Sequence, residues 1–356
     1  MTIFVDNLTT MKRFLLLFSL FLSLAASAQK QKDGFWTDLN EFINKREDKS
    51  YAKLDSNYIG RYPYRWDARL FYTSTGLHLH NEGEDAYMLS TGMNHRVGFG
   101  LNYRGLGFSY SFAVGKKLNF NLNIDSYGKH FCIEYALRFT GGLQGWTGTP
   151  AGQIPNLENL YLGESRMNLF WSFNPRFSYA AAMKQSKIQR RSAGSFIASI
   201  SWSVWDVLTF SDEEEIPLIV HDPIGSLIYN LLSSNLLYNR VSIGGGYGYN
   251  LVLGHQHWLL HGSLVPMWTV YEATLTFEDG ERKYYPYPNG YIAFSATGRA
   301  GVYYRWGERW SLGLSGVINQ MVSRNHFSSK AEDFRGFNGH DWQFRLSLAI
   351  RFGFRH

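Results

Sequence analysis

The chain has 356 residues, a single cysteine (Cys132), a formal net charge of +6 and 17% aromatic residues. One cysteine excludes an intrachain disulfide framework and any Cys-x-x-Cys metal site. A mean hydropathy of −0.25, with no later apolar run approaching about 18 residues, excludes a helical membrane protein. The Lys and Arg residues are scattered rather than clustered on one helix, so the basic excess is not a nucleic-acid footprint.

The N-terminus reads as an export signal. Met11, Lys12 and Arg13 form a basic region, Phe14 to Ala26 an apolar stretch too short to span, and Ala26-Ser27-Ala28 a small-x-small cleavage site before Gln29. The expected start is Met11, and residues 1–28 are expected to be the signal peptide. Residues 29–65 are expected to form a periplasmic N-terminal segment. Within it Phe35, Trp36, Leu39, Phe42 and Ile43 recur at helical spacing, which predicts a short amphipathic helix.

From residue 66 onward the pattern changes to strands. Twelve segments are predicted, at 66–80, 93–103, 105–114, 118–126, 129–140, 164–180, 193–206, 237–251, 257–271, 290–306, 309–321 and 341–354. The last is the clearest. Trp342, Phe344, Leu346, Leu348, Ile350, Phe352 and Phe354 fall on one face; Gln343, Arg345, Ser347, Ala349, Arg351, Gly353 and Arg355 fall on the other. At about 3.3 Å per residue the segment reaches roughly 45 Å, enough to cross a ~30 Å hydrocarbon core even when tilted. Phe131 to Thr140 alternate in the same way, as do Leu118 to Asp125 and Val241 to Leu251.

The connections alternate between short and long. Arg104-Gly105, Tyr127-Gly128 and Gly307-Glu308 are tight; 81–92, 141–163, 207–236, 272–289 and 322–340 are long. This parity is that of an outer-membrane barrel, with tight periplasmic turns and long outer loops. Two links break it: 115–117 is short on the outer side, and 184–192 is long on the inner side. An unpaired backbone group in lipid costs several kcal/mol, so spanning strands must close on themselves. The soluble alternative is a sandwich, but its strands usually run only about five or six residues. Aromatic residues gather at segment ends, with Trp258, Trp306 and Trp310 at the inner rim. Trp202, Trp205, Trp268, Tyr271 and Trp342 gather at the outer rim, the arrangement of two interfacial girdles. The predicted fold is an all-β, transmembrane antiparallel up-and-down β-barrel of about twelve strands over residues 66–356.

Three blocks carry a family resemblance. Phe177-Ser178-Tyr179-Ala180-Ala181-Ala182-Met183-Lys184-Gln185-Ser186, followed by Arg191-Ser192-Ala193-Gly194-Ser195, is the first. Gly244-Gly245-Gly246-Tyr247-Gly248-Tyr249-Asn250, with Trp258-Leu259 after it, is the second, and Tyr58-Ile59 with Tyr62-Pro63-Tyr64 is the third. Together they resemble a domain-of-unknown-function family of Bacteroidota, DUF4421. The resemblance implies an outer-membrane barrel of unassigned function over most of the mature chain, and it supplies no catalytic residues.

No Gly-x-Ser-x-Gly elbow, His-Glu-x-x-His helix, phosphate loop or dinucleotide fingerprint is present, which weighs against an enzyme. Barrel enzymes do assemble Ser, His and carboxylate from neighbouring strands, and His78, His80 and His95 near the first outer loop are candidates. Ordinary rim polarity accounts for them better. His255, His257 and His261 share a face by parity, but the outer two would lie about 13 Å apart, too far for one ion. No catalytic, metal or cofactor site is predicted.

Parity does direct Glu134, Arg138, Arg299, Arg345 and Arg351 into the lumen, since a charge on the lipid face at midplane would cost about 2–4 kcal/mol. They either pair into a network that fills the interior or line a narrow, anion-leaning channel; the filled interior is the simpler reading. Glu82, Glu84, Asp85, Asp212, Glu213, Glu214 and Glu215 are outer-loop acidic candidates for divalent cations shared with lipopolysaccharide phosphates. The expected location is the cell outer membrane. The expected partners are its lipid and lipopolysaccharide, with the barrel assembly machinery during insertion. The function expected is a structural barrel or a narrow passive channel for small polar solutes. The alternatives are a lipid-modifying hydrolase and a surface-binding barrel acting through its loops.

Overall fold

The computed structural model describes residues 34–52, 54–81, 87–113, 119–141, 144–147, 160–209, 236–278, 281–286, 292–324 and 337–354. The signal region and the acidic loop candidates Glu82, Glu84, Asp85 and Asp212 to Glu215 lie outside these residues, as does the short link at 115–117.

The chain divides into two units, residues 1–53 and 54–356. In the first, helix α1 (Phe35–Ala52) is longer than its five apolar positions predict. Asp38 in its first turn and Lys49 in its last complement the helix dipole. Glu41 and Lys45 pair at 2.7 Å, one turn apart. No helix among the described residues is long and apolar enough to cross a membrane.

In the second unit, twelve antiparallel strands close into a ring. They are β2 (Tyr64–Asn81), β4 (Asn94–Tyr103), β5 (Leu106–Ala113), β6 (Asn119–Tyr127), β7 (Phe131–Gly141) and β9 (Leu160–Ser172). The other six are β11 (Ala193–Thr209), β12 (Leu236–Leu253), β13 (Trp258–Glu278), β15 (Ile292–Trp306), β16 (Trp310–Arg324) and β17 (Phe337–Phe354). The ring follows chain order and closes where β17 pairs β2, from Phe337↔Asn81 to Phe354↔Tyr64. Closure removes every sheet edge from the wall, as a lipid setting demands. Short strands extend the outer end: β3 (Tyr87–Ser90) pairs β2 and β8 (Gln144–Thr147), and β14 (Glu281–Pro286) pairs β13. At the inner end, Arg104 and Gly105 both take positive φ, the two-residue turn whose twist suits a hairpin.

The period-2 pattern sorts the wall. Phe344, Leu346, Leu348, Ile350 and Phe352 are exposed on the outside of β17, while Ser347, Ala349 and Arg351 are buried inside it. Phe196 and Leu264, 71% and 60% exposed, belong to the same outer belt. Such a surface on a chain in water would be a very large apolar patch; around a closed barrel it is the lipid-facing face. Trp306 stacks on Trp310 at 6.3 Å and Trp258 lies 4.7 Å from Tyr304, completing an inner girdle.

Two predicted positions are corrected. Trp205 stands near the outer end but does not join the girdle: it pairs Glu164, shares the inward face and is buried. Trp202 and Trp205 are three residues apart on an unbroken strand, so only one of them faces out. Trp268 and Tyr271 have the same spacing yet both face out, because a bulge opposite Val241 and Ser242 leaves Val270 and Tyr271 consecutive on the exterior. The second correction concerns the sixth segment, expected at 164–180. Its strand ends at Ser172, and the following residues leave the wall.

Candidate functional site

What the chain builds after β9 is a plug. Residues 174–192, predicted only as an overlong inner link, contain helix α2 (Tyr179–Met183) and strand β10 (Lys187–Gln189). Ser178 caps α2, its hydroxyl accepting from the Ala181 N–H at 3.2 Å. The helix is three alanines between Tyr179 and Met183, and Phe177, Ala181 and Ala182 are fully buried. β10 pairs with β1 (Ile59–Arg61), so the segment ahead of the first barrel strand contributes to the same body.

The wall is shaped to receive it. Gly248 faces inward, and a Cβ there would come within 3.2 Å of Phe177 Cζ and 2.9 Å of Ile197 Cδ1. Asn250, fully buried, donates to the Ser178 carbonyl at 3.0 Å and to Gln189 Oε1 at 3.1 Å. Its own Oδ1 accepts from His261 Nδ1 at 2.8 Å, leaving His261 Nε2 to accept from Ser263 at 3.1 Å. Phe170, Phe177, Tyr179, Cys132, Ile197 and Val265 form one apolar cluster between plug and wall.

Charge ties the plug down. Arg351 donates to the Gln185 carbonyl at 2.9 Å and to Ser311 at 3.0 Å, and stacks 3.8 Å above Tyr62. Arg69 bonds Asp67 at 3.0 Å and the Lys184 carbonyl at 2.5 Å, while Lys184 pairs with Asp125. Two crevices run between plug and wall, of about 30 and 20 Å³, room for a water or two each.

Above the plug, ion pairs cross the lumen. Arg299 on β15 grips Glu134 on β7 through two bonds of 2.8 and 2.7 Å, and Tyr127 donates to the same carboxylate. Arg299 also lies 4.6 Å over Phe170. Nearer the outer end, Glu164 and Asp341 share Arg138 and Arg166: Arg138 lies 3.3 Å from Glu164 and 3.6 Å from Asp341, and Arg166 bonds both. Asn319 donates to Asp341 at 3.0 Å. Arg240 and Glu272 pair at 2.9 Å on adjacent strands, the bulge on β13 being what turns Glu272 inward. Buried pairs of this kind contribute little net stability, but losing one partner strands the other.

The three blocks of sequence that carry the family resemblance are thus plug, receiving wall and β1. This chain belongs to the family described as a domain of unknown function, DUF4421. The family's model matches residues 53–345, most of the chain. Among curated proteins none matches. Among solved structures, the barrel is similar to the outer membrane protease OmpT from Escherichia coli (7% identity, 82% of this chain and 97% of that one, TM-score 0.36). It is also similar to the translocator domain of the autotransporter NalP from Neisseria meningitidis (10%, 88% and 96%, TM-score 0.36). The beta domain of the Bordetella autotransporter BrkA is comparable (10%, 80% and 99%, TM-score 0.35). Likeness this distant carries nothing about activity.

In this family member, all five lumenal candidates read from parity, Glu134, Arg138, Arg299, Arg345 and Arg351, point inward. Glu134 joins Arg299, Arg138 joins the outer layer and Arg351 the plug; among the described residues Arg345 joins no carboxylate, and it lies 4.3 Å over the Phe71 ring. The histidines do not assemble. His95 bonds the Tyr72 hydroxyl at 2.6 Å and His78 packs 4.9 Å from His340, both on the outer face. The tight turn at Gly254, His255 and Gln256, all at positive φ, breaks the alternation, so His255 and His257 do not share a face with buried His261. Among the described residues no three His, Cys, Asp or Glu side chains form a metal site. Sequence reading missed Asp67, Arg69, Arg96, Asp125, Glu164, Arg166, Arg240, Glu272 and Asp341. Strand parity, applied to every segment, was the signal available for all but Glu272, which the bulge re-aims.

Proposed function

We propose that this chain is a non-enzymatic outer-membrane barrel closed at rest, a structural element of the membrane rather than an open pore. The observation that carries this reading is the plug: residues 174–192 are packed against the inner lumen by Arg351, Arg69, Asn250 and a shared apolar cluster. The pairs across the lumen above it support the same reading, because a conducting path would have to break them. Outer-membrane residence rests on the apolar exterior and on the export signal in the sequence. Lipid, lipopolysaccharide and the barrel assembly machinery are its proposed partners, with no nucleic acid and no cofactor.

The test is single-channel recording after reconstitution in planar bilayers. The intact chain is expected to give no porin-like steps. A variant with 176–190 replaced by a Gly/Ser linker is expected to conduct with anion preference, since inward arginines outnumber inward carboxylates among the described residues. Steady porin-like conductance from the intact chain contradicts the proposal.

A further inference from the structure

Among the described residues, the carboxylates that face the lumen are all engaged. Asp67 pairs with Arg69 and Arg351, Asp125 with Lys184, Glu134 with Arg299, Glu272 with Arg240, and Glu164 and Asp341 with Arg138 and Arg166. Two inward arginines are left over, Arg96 and Arg345, and they are not scattered. Thr73 on β2 pairs Arg345 of β17 on one side and Arg96 of β4 on the other. The three residues therefore form one rung across adjacent strands, the two arginine Cα atoms about 10 Å apart at two strand spacings.

Arg96 is the largest fully buried side chain of the protein's described residues. Its one hydrogen bond, at 2.7 Å, goes to Asn119 Oδ1, a neutral acceptor. Among the described residues its Nε and Nη2 have no hydrogen-bond partner, and neither do Asn119 Nδ2, Thr73 Oγ1 or Arg345 Nε. The charges that act on Arg96 are Arg138 and Arg345, of like sign, against Glu164, which two other arginines already share. A buried guanidinium without a counter-charge is among the costliest arrangements a fold can contain. Arg345 is only partly buried although it points inward, so lumenal space adjoins it. The rung lies above the plug contacts of Arg69 and below the row of Asp341, since Arg69 and Leu77 stand four residues to either side of Thr73 on β2.

We propose that Arg96, Thr73 and Asn119 bind a small inorganic oxyanion of the phosphate class, with Arg345 as the second balancing charge. The orphaned groups are donors or a hydroxyl able to donate, clustered at one position. What satisfies them together is an acceptor with several oxygens and a negative charge. A lumen carboxylate among the described residues cannot, because each of them already has a partner. Water can accept from individual N–H groups but leaves the charge uncompensated.

The experiment uses the full mature chain refolded in detergent, with phosphate replacing chloride at constant ionic strength. The thermal midpoint is expected to rise and saturate with phosphate. Exclusion of phosphate from the surface raises any protein's midpoint somewhat, so the informative quantity is the part of the rise that Arg96→Met abolishes. Thr73→Val is expected to weaken the apparent affinity about tenfold or more, the loss of one hydrogen bond to a charged ligand. An equal rise in wild type and Arg96→Met overturns the proposal. So does an Arg96→Met protein more stable than wild type at saturating phosphate. If the variant does not fold, equilibrium dialysis of wild type refolded in labelled phosphate decides: one ion per chain is expected, and no saturable binding overturns it. None of these readouts depends on whether the barrel conducts.

Discussion

Arg166 and Asp341 meet at 3.0 Å although β9 and β17 stand six apart in a ring of twelve, on opposite walls of the lumen. A contact of that kind cannot exist across an open pore of this strand number. It pins the two walls together, and through Glu164 and Arg138 it extends along β7 and β9.

Removing one member should reveal the coupling. Asp341→Asn leaves Arg138 and Arg166 with Glu164 alone and is expected to destabilise the barrel by about 3–5 kcal/mol. Arg166→Met combined with Asp341→Leu is expected to recover most of that loss, since apolar replacement of a whole buried pair is often neutral. Urea-gradient unfolding in detergent checks both, and a double variant no better than the single one would contradict the pairing.

The faces of β17 make a sharper contrast. Leu348→Arg puts a charge on the lipid side and is expected to cost about 2–4 kcal/mol. Ser347→Ala, one residue away, removes a weak 3.4 Å bond to the Gly313 carbonyl and is expected to change stability by less than about 1 kcal/mol. Refolding yield into vesicles measures the difference. Ser347→Arg is not a tolerated change here, since Ser347 is buried in a packed lumen.

Arg351 is the plug's clasp. Arg351→Met removes its bonds to Gln185 and Ser311 together and its stacking on Tyr62. Amide exchange in 179–189 is expected to accelerate at least tenfold, while the wall strands change little. Uniform acceleration across wall and plug would mean that the plug is not a separately held unit.

Cys132 reports on the plug from the inside. It is 2% exposed, in the cluster with Phe170, Phe177 and Tyr179. A polar maleimide is expected to leave it unlabelled in the folded protein and to label it in the plug-replacement variant. Labelling of the intact folded chain would contradict the packing.

The wall was legible in the sequence because lipid enforces a strict alternation. Eleven of the twelve predicted segments coincide with barrel strands, differing mainly at their ends. The exception, 164–180, shows where the signal becomes ambiguous. Phe177 and Tyr179 continue the outward apolar pattern of Trp171 and Phe173, but they serve a plug, and burial inside a lumen looks locally like burial in lipid. Trp205 and Tyr271 make the same point. Both lie three residues after an outward tryptophan, and only a bulge, invisible in composition, separates their fates. Parity turned five charges toward the lumen, yet it does not say which wall a side chain meets. Arg166 and Asp341 are joined by ring closure, a property of the whole chain rather than of any segment.

The most direct measurement is a spin-label scan of β17 from position 343 to 352 in lipid vesicles, reading collisions with oxygen and with a water-soluble nickel chelate. A plugged barrel gives high oxygen and low nickel accessibility at 344, 346, 348, 350 and 352, and low accessibility to both reagents at 343, 345, 347, 349 and 351. Nickel accessibility at the odd positions equal to that of a surface site would mean an open, water-filled lumen, and loss of the alternation would remove the barrel's lipid face altogether.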